Sequence, residues 1–324
     1  MDRQNPKKMG SEKNKNPNIF YDNPFENIKL NKKPDIIHLI PDSLLNFTEL
    51  EKTGYNTENL EKNFLESGLN IIKNAKSNYS KTHFAIPSIL HGSIIKEDLI
   101  WKEKDMYKYI NNSMLHSELI KNGYQIEWYE TRLLSSKCPT RKNLICANKN
   151  FFNNEFFGVF FKSLNFNYAW IEKFQFKFFK KEKIKHVDLI INNLDKYETS
   201  KPRYIYGYLD LPHPPFSVLK NCKSAYLYFS NNKIPQPGFN KEQYLEQVDC
   251  LQKQILQLIN KLNQRNKEYV MIIQSDTGHY VYGYDKYPSP ENNYDYPAEH
   301  YESFIAVSSS LKCFQNKDKI FNVE

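Results

Sequence analysis

The chain has 324 residues, of which 40% are hydrophobic and 25% charged, and its formal net charge is +8. This length and composition allow one large globular domain or two modest ones, and they argue against a mainly disordered polypeptide. The mild positive charge fits an anionic partner such as a phosphorylated glycan or a lipid headgroup. A solvated lysine-rich surface is the simpler explanation of the same charge.

Several functional classes lack their sequence signals in this chain. No run of about 18 apolar residues occurs, and no apolar segment follows the basic N-terminus, so we expect neither a membrane-spanning helix nor a secretory signal. The localisation stays open. With ten glycines and no Gly-rich phosphate loop, a nucleotide cradle is not expected, and no nucleic-acid-reading module is present.

The five cysteines show no metal-binding spacing and include no C-x-x-C pair. Cys138 and Cys146 are close enough in sequence to bridge a loop, but nothing in the sequence decides whether they do. An odd number of cysteines leaves at least one thiol unpaired within the chain. The redox compartment is therefore open.

In chain order, residues 1–30 are polar and predicted to form a flexible N-terminal arm, and residues 31–324 are predicted to form a single domain. The predicted strands are 34–40, 125–130, 203–211, 269–273 and 302–309. The predicted helices are 57–72, the end of 81–92, 113–124, and a long amphipathic helix whose apolar face runs from Tyr244 to Leu262. Thr57 is the expected N-cap of the first helix and Gly68 its expected stop.

Strands alternate with helices, and strand 269–273 is apolar on both faces. This pattern predicts an α/β fold with a mostly parallel central sheet and helices on both faces. In such sheets, ligands bind beyond the carboxyl ends of the strands. Three strand ends carry suitable side chains: Asp42, His213, and Asp276 with His279.

Four stretches carry a family resemblance when they are taken together and in this order. They are KPDIIHLIPDSL (33–44), SNYSKTHFAIPSILHG (77–92), YLDLPHPPF (208–216) and MIIQSDTGH (271–279). The chain resembles the sulfatase-like branch of the alkaline phosphatase superfamily, and within it the bacterial enzymes related to lipoteichoic acid synthase and the phosphoethanolamine transferases. The resemblance covers nearly the whole chain beyond the N-terminal arm, and it implies a domain that is shortened at its C-terminus, since relatives often continue further.

The resemblance implies a phosphoryl or substituted-phosphoryl transferase or a phosphodiesterase that uses one divalent metal, zinc or manganese. It implies Asp42, Thr82 and Asp276 as metal ligands and Thr82 as the nucleophile, with Ser80 and Ser88 as alternative hydroxyls. A bound metal lowers the pKa of the hydroxyl and neutralises charge on the phosphoryl oxygens. The expected substrate is a phosphorylated glycan or a lipid headgroup, since relatives act on lipid-linked donors outside the cytoplasm.

Three histidines are candidates for contact with the substrate. His213 matches the family histidine that touches the substrate phosphate or the leaving group. His83 and His91 flank the nucleophile region, and either could contact substrate. One alternative function is that of a sulfatase. The sequence disfavours it, because the formylglycine motif Cys/Ser-x-Pro-x-Arg is not found around Pro87.

The chain departs from the family at the second metal motif. Relatives have Ser-Asp-His-Gly, whereas this chain has Ser275-Asp276-Thr277-Gly278-His279, so Thr277 stands where an imidazole is expected. In one account His279 is the fourth ligand and reaches the metal through an unusual backbone bend at Gly278. Alternatively, Thr277 coordinates weakly, or the metal site is lost and the protein is a degenerate, non-catalytic relative with a binding or scaffolding role. His300 is a further imidazole, but the sequence does not place it.

Overall fold

The computed structural model describes most of the predicted domain but not every loop. The described residues are 20, 23–95, 109–129, 143–146, 186–196, 200–214, 216, 218–223, 241–279, 281 and 298–311. Structural statements below concern these residues.

A seven-stranded mixed sheet forms the centre of the fold. Its strands are β1 (Asp35–Pro41), β2 (Leu69–Ile72), β3 (Gln125–Tyr129), β4 (Leu144–Cys146), β5 (Arg203–Leu209), β6 (Tyr269–Gln274) and β7 (Ile305–Ser309). The strand order is β2-β7-β6-β1-β5-β3-β4. Strands β6, β1, β5, β3 and β4 are parallel to one another, and β7 is antiparallel to both β6 and β2. The predicted α/β class with a mostly parallel sheet is confirmed.

Helices cover both faces of this sheet. They are α1 (Phe47–Lys52), α2 (Thr57–Glu66), α3 (Thr82–His91), α4 (Met114–Lys121) and α5 (Lys241–Asn263), with a 3-10 helix at Ala298–Tyr301 and helical residues at 186–193. Alternate residues of β5 show the two layers. Tyr204 and Tyr206 pack with residues of α3 and α4, whereas Ile205 and Leu209 pack with residues of α5.

The predicted helix 57–72 is wrong in its last third. Helix α2 ends at Glu66, Gly68 has a φ of +84°, and residues 69–72 form β2, which pairs antiparallel with β7. Gly68 stops the helix as predicted, since glycine adopts this left-handed conformation without steric cost. The N-cap is Asn56, whose side chain accepts a hydrogen bond from the Asn59 N–H at 3.0 Å, and Thr57 is the first helical residue.

The described part of the predicted N-terminal arm is packed against the domain. Phe20 is buried and stacks on the ring of His91 at 3.9 Å between centroids. Asn122 accepts a hydrogen bond from Leu30 N–H at 3.1 Å and donates one to the Ile28 carbonyl at 2.8 Å. Residues 1–19, the larger part of the arm, lie outside the described residues.

A disulfide joins Cys222, in the loop after β5, to Cys250 of α5. This pair was not predicted from the sequence, because 28 residues separate the two cysteines. Cys146 is also disulfide-bonded. Cys138, which is close enough in sequence to bridge with Cys146, lies outside the described residues.

Candidate active site

The site lies where three neighbouring parallel strands end. Strand β1 pairs Pro41 with Leu209 of β5 and Leu39 with Ile273 of β6. Continuing both registers brings Asp42, Asp210 and Asp276 to the same edge of the sheet. All three aspartates are buried, and the Asp42 N–H still donates to the Leu209 carbonyl at 2.8 Å.

Asp42 and Asp276 share two neighbours. The Ser43 N–H donates to Asp276 Oδ1 at 3.2 Å, and Ser43 Oγ donates to Asp42 Oδ1 at 2.9 Å. The hydroxyl of Tyr208 lies 3.4 Å from Asp276 Oδ2 and also hydrogen-bonds Asp42. The two carboxylates predicted as metal ligands are therefore brought together in the fold.

Thr82 is the first residue of α3, and its hydroxyl hydrogen-bonds the Asp276 carboxylate. The preceding residue, Lys81, provides no side-chain cap for the helix. A helix N-terminus carries a partial positive charge and uncapped N–H groups, which favour an anion such as a phosphoryl group or an alkoxide. The predicted nucleophile thus joins the two predicted carboxylate ligands.

Burial makes this cluster electrostatically costly. Burial first, and then the charge of Asp42, raises the pKa of the Asp276 carboxyl well above its usual acidic range. Hydrogen bonds from Thr82 and from the Ser43 and Thr277 amides oppose that rise. Burial and the charges of Asp276 and Asp42 raise the pKa of the Tyr208 hydroxyl far above its ordinary value, so Tyr208 is a hydrogen-bond donor at neutral pH.

The donor set fits a divalent cation in part. Two adjacent buried carboxylates and a hydroxyl are oxygen ligands, and a cation between them would offset the repulsion that raises the Asp276 pKa. This donor set contains no nitrogen ligand. All eight histidines of the chain are described, yet no three His, Cys, Asp or Glu side chains in the described ranges group as ligands for one metal. Thr277 is buried beside Asp276, its N–H donating to Asp276 Oδ1 at 2.8 Å.

The ring of His279 lies against α5. It stacks on Tyr244 with 5.3 Å between centroids and meets Phe216 edge-on at 6.2 Å. The Tyr244 hydroxyl also hydrogen-bonds the Leu45 N–H and the Ser43 carbonyl, both in the turn after Asp42. The assignment of His279 as a metal ligand stays a prediction.

Gly278 is explained by close packing and not by the unusual backbone bend that the sequence suggested. Its φ is outside the left-handed region, so no unusual bend explains the glycine. A Cβ atom there would lie 2.0 Å from the Glu299 carbonyl oxygen. The Gly278 N–H donates to the His300 carbonyl at 2.9 Å, so the 3-10 helix packs directly on the second metal motif.

This packing places His300, which the sequence could not place. The ring is partly buried, and burial lowers its pKa, so it is neutral at pH 7. The segment from His300 to Phe304 also hydrogen-bonds the loops that precede Thr82 and follow Asp42. Ser77 N–H donates to the Tyr301 carbonyl at 2.6 Å, and Asn46 Nδ2 donates to Glu302 Oε2 at 2.6 Å.

His213 lies in the loop after β5 with a defined tautomer. Its Nδ1 is 2.5 Å from the Pro214 carbonyl oxygen. Because a carbonyl only accepts hydrogen bonds, Nδ1 carries the proton, and Nε2 holds the lone pair of the neutral ring. Nε2 is thus the nitrogen suited to exchange a proton with a reacting group.

The other two predicted substrate contacts occupy opposite ends of α3. His83 follows Thr82 directly and is half-buried beside the Phe84 ring at 4.3 Å. His91 is buried at the C-terminal end, where Nε2 is 3.0 Å from the Tyr109 carbonyl. Nine residues of helix separate His91 from Thr82, a rise of about 13 Å. The structure explains His91 as a packing residue and gives no support to a substrate contact.

Four polar residues of the site escaped the sequence analysis. Tyr208 and Asp210 belong to the stretch YLDLPHPPF, in which only His213 was assigned a role. Tyr244 was predicted as part of the apolar face of a helix, and Gln247 was not singled out. Side-chain hydrogen bonds to distant loops give no periodic signal in a sequence.

Solved structures share this fold. The C-terminal periplasmic domain of EcEptC from Escherichia coli aligns with a TM-score of 0.52 and 14% identity, over 90% of this chain and 77% of that chain. The same domain has also been solved in complex with Zn. The corresponding domain of the phosphoethanolamine transferase EptC from Campylobacter jejuni aligns with a TM-score of 0.50 and 13% identity, over 88% of this chain and 82% of that chain.

No curated protein matches the chain by sequence. The fold is the sulfatase-like α/β fold that the sequence motifs predicted. The family model described as Sulfatase matches residues 34–312, which include every strand of the sheet and every predicted site residue. This chain therefore belongs to the sulfatase family.

Proposed function

We propose that the protein is a metal-dependent phosphoryl or substituted-phosphoryl transferase or a phosphodiesterase, with Thr82 as its nucleophile. The observation that carries the proposal is the hydrogen bond from the Thr82 hydroxyl to Asp276, next to Asp42 and at the N-terminus of α3. The substrate we propose is a phosphorylated glycan or a lipid headgroup at the cell surface. The disulfides at Cys222–Cys250 and Cys146 fit an oxidising compartment.

Each residue has a defined task in the proposed reaction. Thr82 Oγ attacks phosphorus, and its proton leaves along the hydrogen bond to Asp276 as the bond from phosphorus to the leaving oxygen breaks. His213 Nε2, when protonated, donates its proton to that leaving oxygen. An acceptor hydroxyl or water then attacks phosphorus of the phosphorylated Thr82 and gives its proton back to His213. The bond from phosphorus to Thr82 Oγ breaks, and Oγ takes back the proton that Asp276 received. His83, next to Thr82, is the remaining candidate for substrate contact.

Asp42, Thr82 and Asp276 would hold zinc or manganese, with His279 as the imidazole that the sequence offers in place of Thr277. Bound there, the metal would lower the pKa of the Thr82 hydroxyl and neutralise phosphoryl charge. The Zn complex of a structural neighbour supports zinc. Oxygen ligands alone would suit manganese better.

A second candidate is a degenerate relative that binds an anionic partner and catalyses nothing. Thr277 at the position of the family imidazole favours this candidate. A sulfatase is a weaker alternative, because Thr82 cannot be converted to formylglycine, which forms from cysteine or serine.

Hydrolysis of bis-p-nitrophenyl phosphate by the full chain, purified without chelators and analysed for metal, tests the proposal. We expect about one zinc or manganese per chain and an activity that Thr82→Ala abolishes. Thr57→Ala is the matched control, since Thr57 has the same first position in α2. Absence of metal, with no response to added metal, would favour the degenerate relative. Hydrolysis of p-nitrophenyl sulfate in preference to the phosphodiester would favour a sulfatase.

A further inference from the structure

One face of α5 binds two of the loops that form the site. The Tyr244 hydroxyl accepts from the Leu45 N–H at 2.9 Å and donates to the Ser43 carbonyl at 3.0 Å. These bonds fix the turn that directly follows Asp42. One helical turn further along, Gln247 Nε2 donates to the Pro212 carbonyl at 2.8 Å and to the His213 carbonyl at 3.3 Å.

The amide of Gln247 can face this loop in one orientation only. Both partners are carbonyls, which accept and never donate, so the NH₂ group must point at them. Gln247 is completely buried, and its Oε1 has no hydrogen-bond partner within the described ranges. An unsatisfied buried oxygen costs stability, which an apolar side chain at this position would avoid. The two hydrogen bonds from Gln247 to the His213 loop offset this cost.

Those bonds act on the backbone of the residue whose ring is proposed to transfer protons. Gln247 holds the His213 carbonyl from one side, while His213 Nδ1 bonds the Pro214 carbonyl at 2.5 Å on the other. A change in the backbone dihedral angles at His213 or Pro214 would break the Nδ1 contact and release the tautomer that leaves the lone pair on Nε2, and Gln247 bonds the carbonyl between these two residues. Gln247 therefore constrains both the direction and the protonation of this ring.

We propose that Tyr244 and Gln247 are positioning residues, which together set the spacing between the Asp42 turn and the His213 loop. Tyr244 acts on the metal side of the site and Gln247 on the side of the leaving group. The inference rests on the proposed function only for the roles of Asp42 and His213. Its physical basis is that displacing a reacting group by about 1 Å can cost about 100-fold in rate.

Tyr244→Phe and Gln247→Leu remove the hydrogen bonds and keep most of the side-chain volume. Tyr55→Phe and Gln252→Leu are matched controls, because the Tyr55 hydroxyl bonds Asp249 at 2.6 Å and Gln252 Oε1 at 3.3 Å, which are also on α5, and neither bond involves a residue of the Asp42 turn or the His213 loop. We expect Gln247→Leu to lower kcat for the phosphodiester at least about tenfold, with KM and Mn²⁺ affinity nearly unchanged. We expect Tyr244→Phe to weaken Mn²⁺ binding, measured by calorimetry, about tenfold.

A measurement on His213 itself separates this inference from the proposed function. The imidazole ¹H resonance of His213, assigned with His213→Gln, is titrated by NMR in the wild-type protein, Gln247→Leu and Gln252→Leu. We expect its pKa and chemical shift to change in Gln247→Leu only. An unchanged His213 titration in Gln247→Leu would overturn the inference even if the enzyme is active. A changed titration would support it even if the wild-type protein binds no metal and turns over no phosphoester. Equal losses of kcat in Gln247→Leu and Gln252→Leu would also overturn it, because packing alone would then explain the effect.

Discussion

Gly278 lies under the backbone of Glu299, so close that a Cβ atom on the glycine would be 2.0 Å from the Glu299 carbonyl oxygen and 2.6 Å from that of Glu302. Real Cβ atoms do not approach backbone oxygens to these distances. The contact joins the second metal motif to the 3-10 helix, which in turn bonds the loop before Thr82 through Ser77 and Tyr301. A glycine at this position is thus needed for close packing of the site loops.

Gly278→Ala should therefore separate the motif from the 3-10 helix. The clash is with backbone, which cannot rotate away, so we expect a loss of about 1–3 kcal/mol in the free energy of unfolding and a larger proportional loss of activity. Denaturant unfolding and phosphodiester hydrolysis measure the two effects. Gly54→Ala is the control: its Cβ would meet nothing within 4 Å, and only its φ of +83° opposes the change. A Gly278→Ala protein with wild-type stability and activity would show that the close contact is not maintained in solution.

Thr277→His should strengthen zinc binding. The change restores the family imidazole next to Asp276, and imidazole nitrogen suits zinc better than a threonine hydroxyl does. We expect Zn²⁺ affinity, measured by competition with a chromophoric chelator, to rise at least about tenfold. Thr277→Val is the control, because it keeps the volume and adds no ligand. An unchanged affinity in Thr277→His, together with a loss in His279→Ala, would instead show that His279 already supplies the imidazole.

The parts of the fold that the sequence predicted are those with strong local patterns. Strands β1, β5 and β6 are apolar and end at polar residues, so their existence and the convergence of Asp42 and Asp276 followed from the pattern of a parallel sheet. Strand β2 has only four residues and continues an apolar pattern from α2, and its pairing with β7 involves residues more than 200 positions away. Nothing local distinguishes it from the end of a helix.

The residues that hold the site loops in place could not be predicted from the sequence, for a related reason. Tyr244 fits the apolar face of α5 as expected, but its hydroxyl bonds Ser43 and Leu45, about 200 residues earlier in the chain. The close approach to Gly278 comes from residues 299 and 302, more than 20 positions further along the chain, and no local pattern links these positions. Sequence patterns located the reacting groups, whereas only the fold shows what holds them.

Glu127→Gln should destabilise the protein strongly. Glu127 of β3 and Arg203 of β5 form a two-pronged ion pair at 2.6 and 2.9 Å, and both side chains are fully buried. The neutral amide would remove the carboxylate that pairs directly with the buried guanidinium and leave only the weaker effect of the Asp35 charge, so we expect a loss of about 3–5 kcal/mol in the free energy of unfolding. Glu61→Gln, which breaks the exposed pair with Lys73, should cost less than about 1 kcal/mol. Similar losses in the two variants, measured by urea denaturation, would contradict the buried-charge explanation.

His38 should make the fold sensitive to acid. The ring is buried in β1, its Nδ1 is 2.8 Å from the Tyr204 hydroxyl, and burial lowers its pKa from 6.5 to about 4, although a hydrogen bond with Gln274 partly opposes the shift. The unfolded chain therefore binds a proton at His38 between pH 6.5 and pH 4 while the folded protein does not. By linkage, stability that is fully present above pH 6.5 is lost as the pH falls toward 4, by about 3 kcal/mol for this one residue.

His38→Asn isolates this contribution, because asparagine can still bond the Tyr204 hydroxyl and takes up no proton. We expect the wild-type protein to lose about 3 kcal/mol more unfolding free energy than the variant between pH 7.5 and pH 4, in urea titrations at both pH values. Every other titrating group is common to the two proteins, so the difference reports on His38. Parallel losses in the two proteins would mean that the His38 ring titrates alike in the folded and unfolded states, and that its burial in β1 does not suppress its charge.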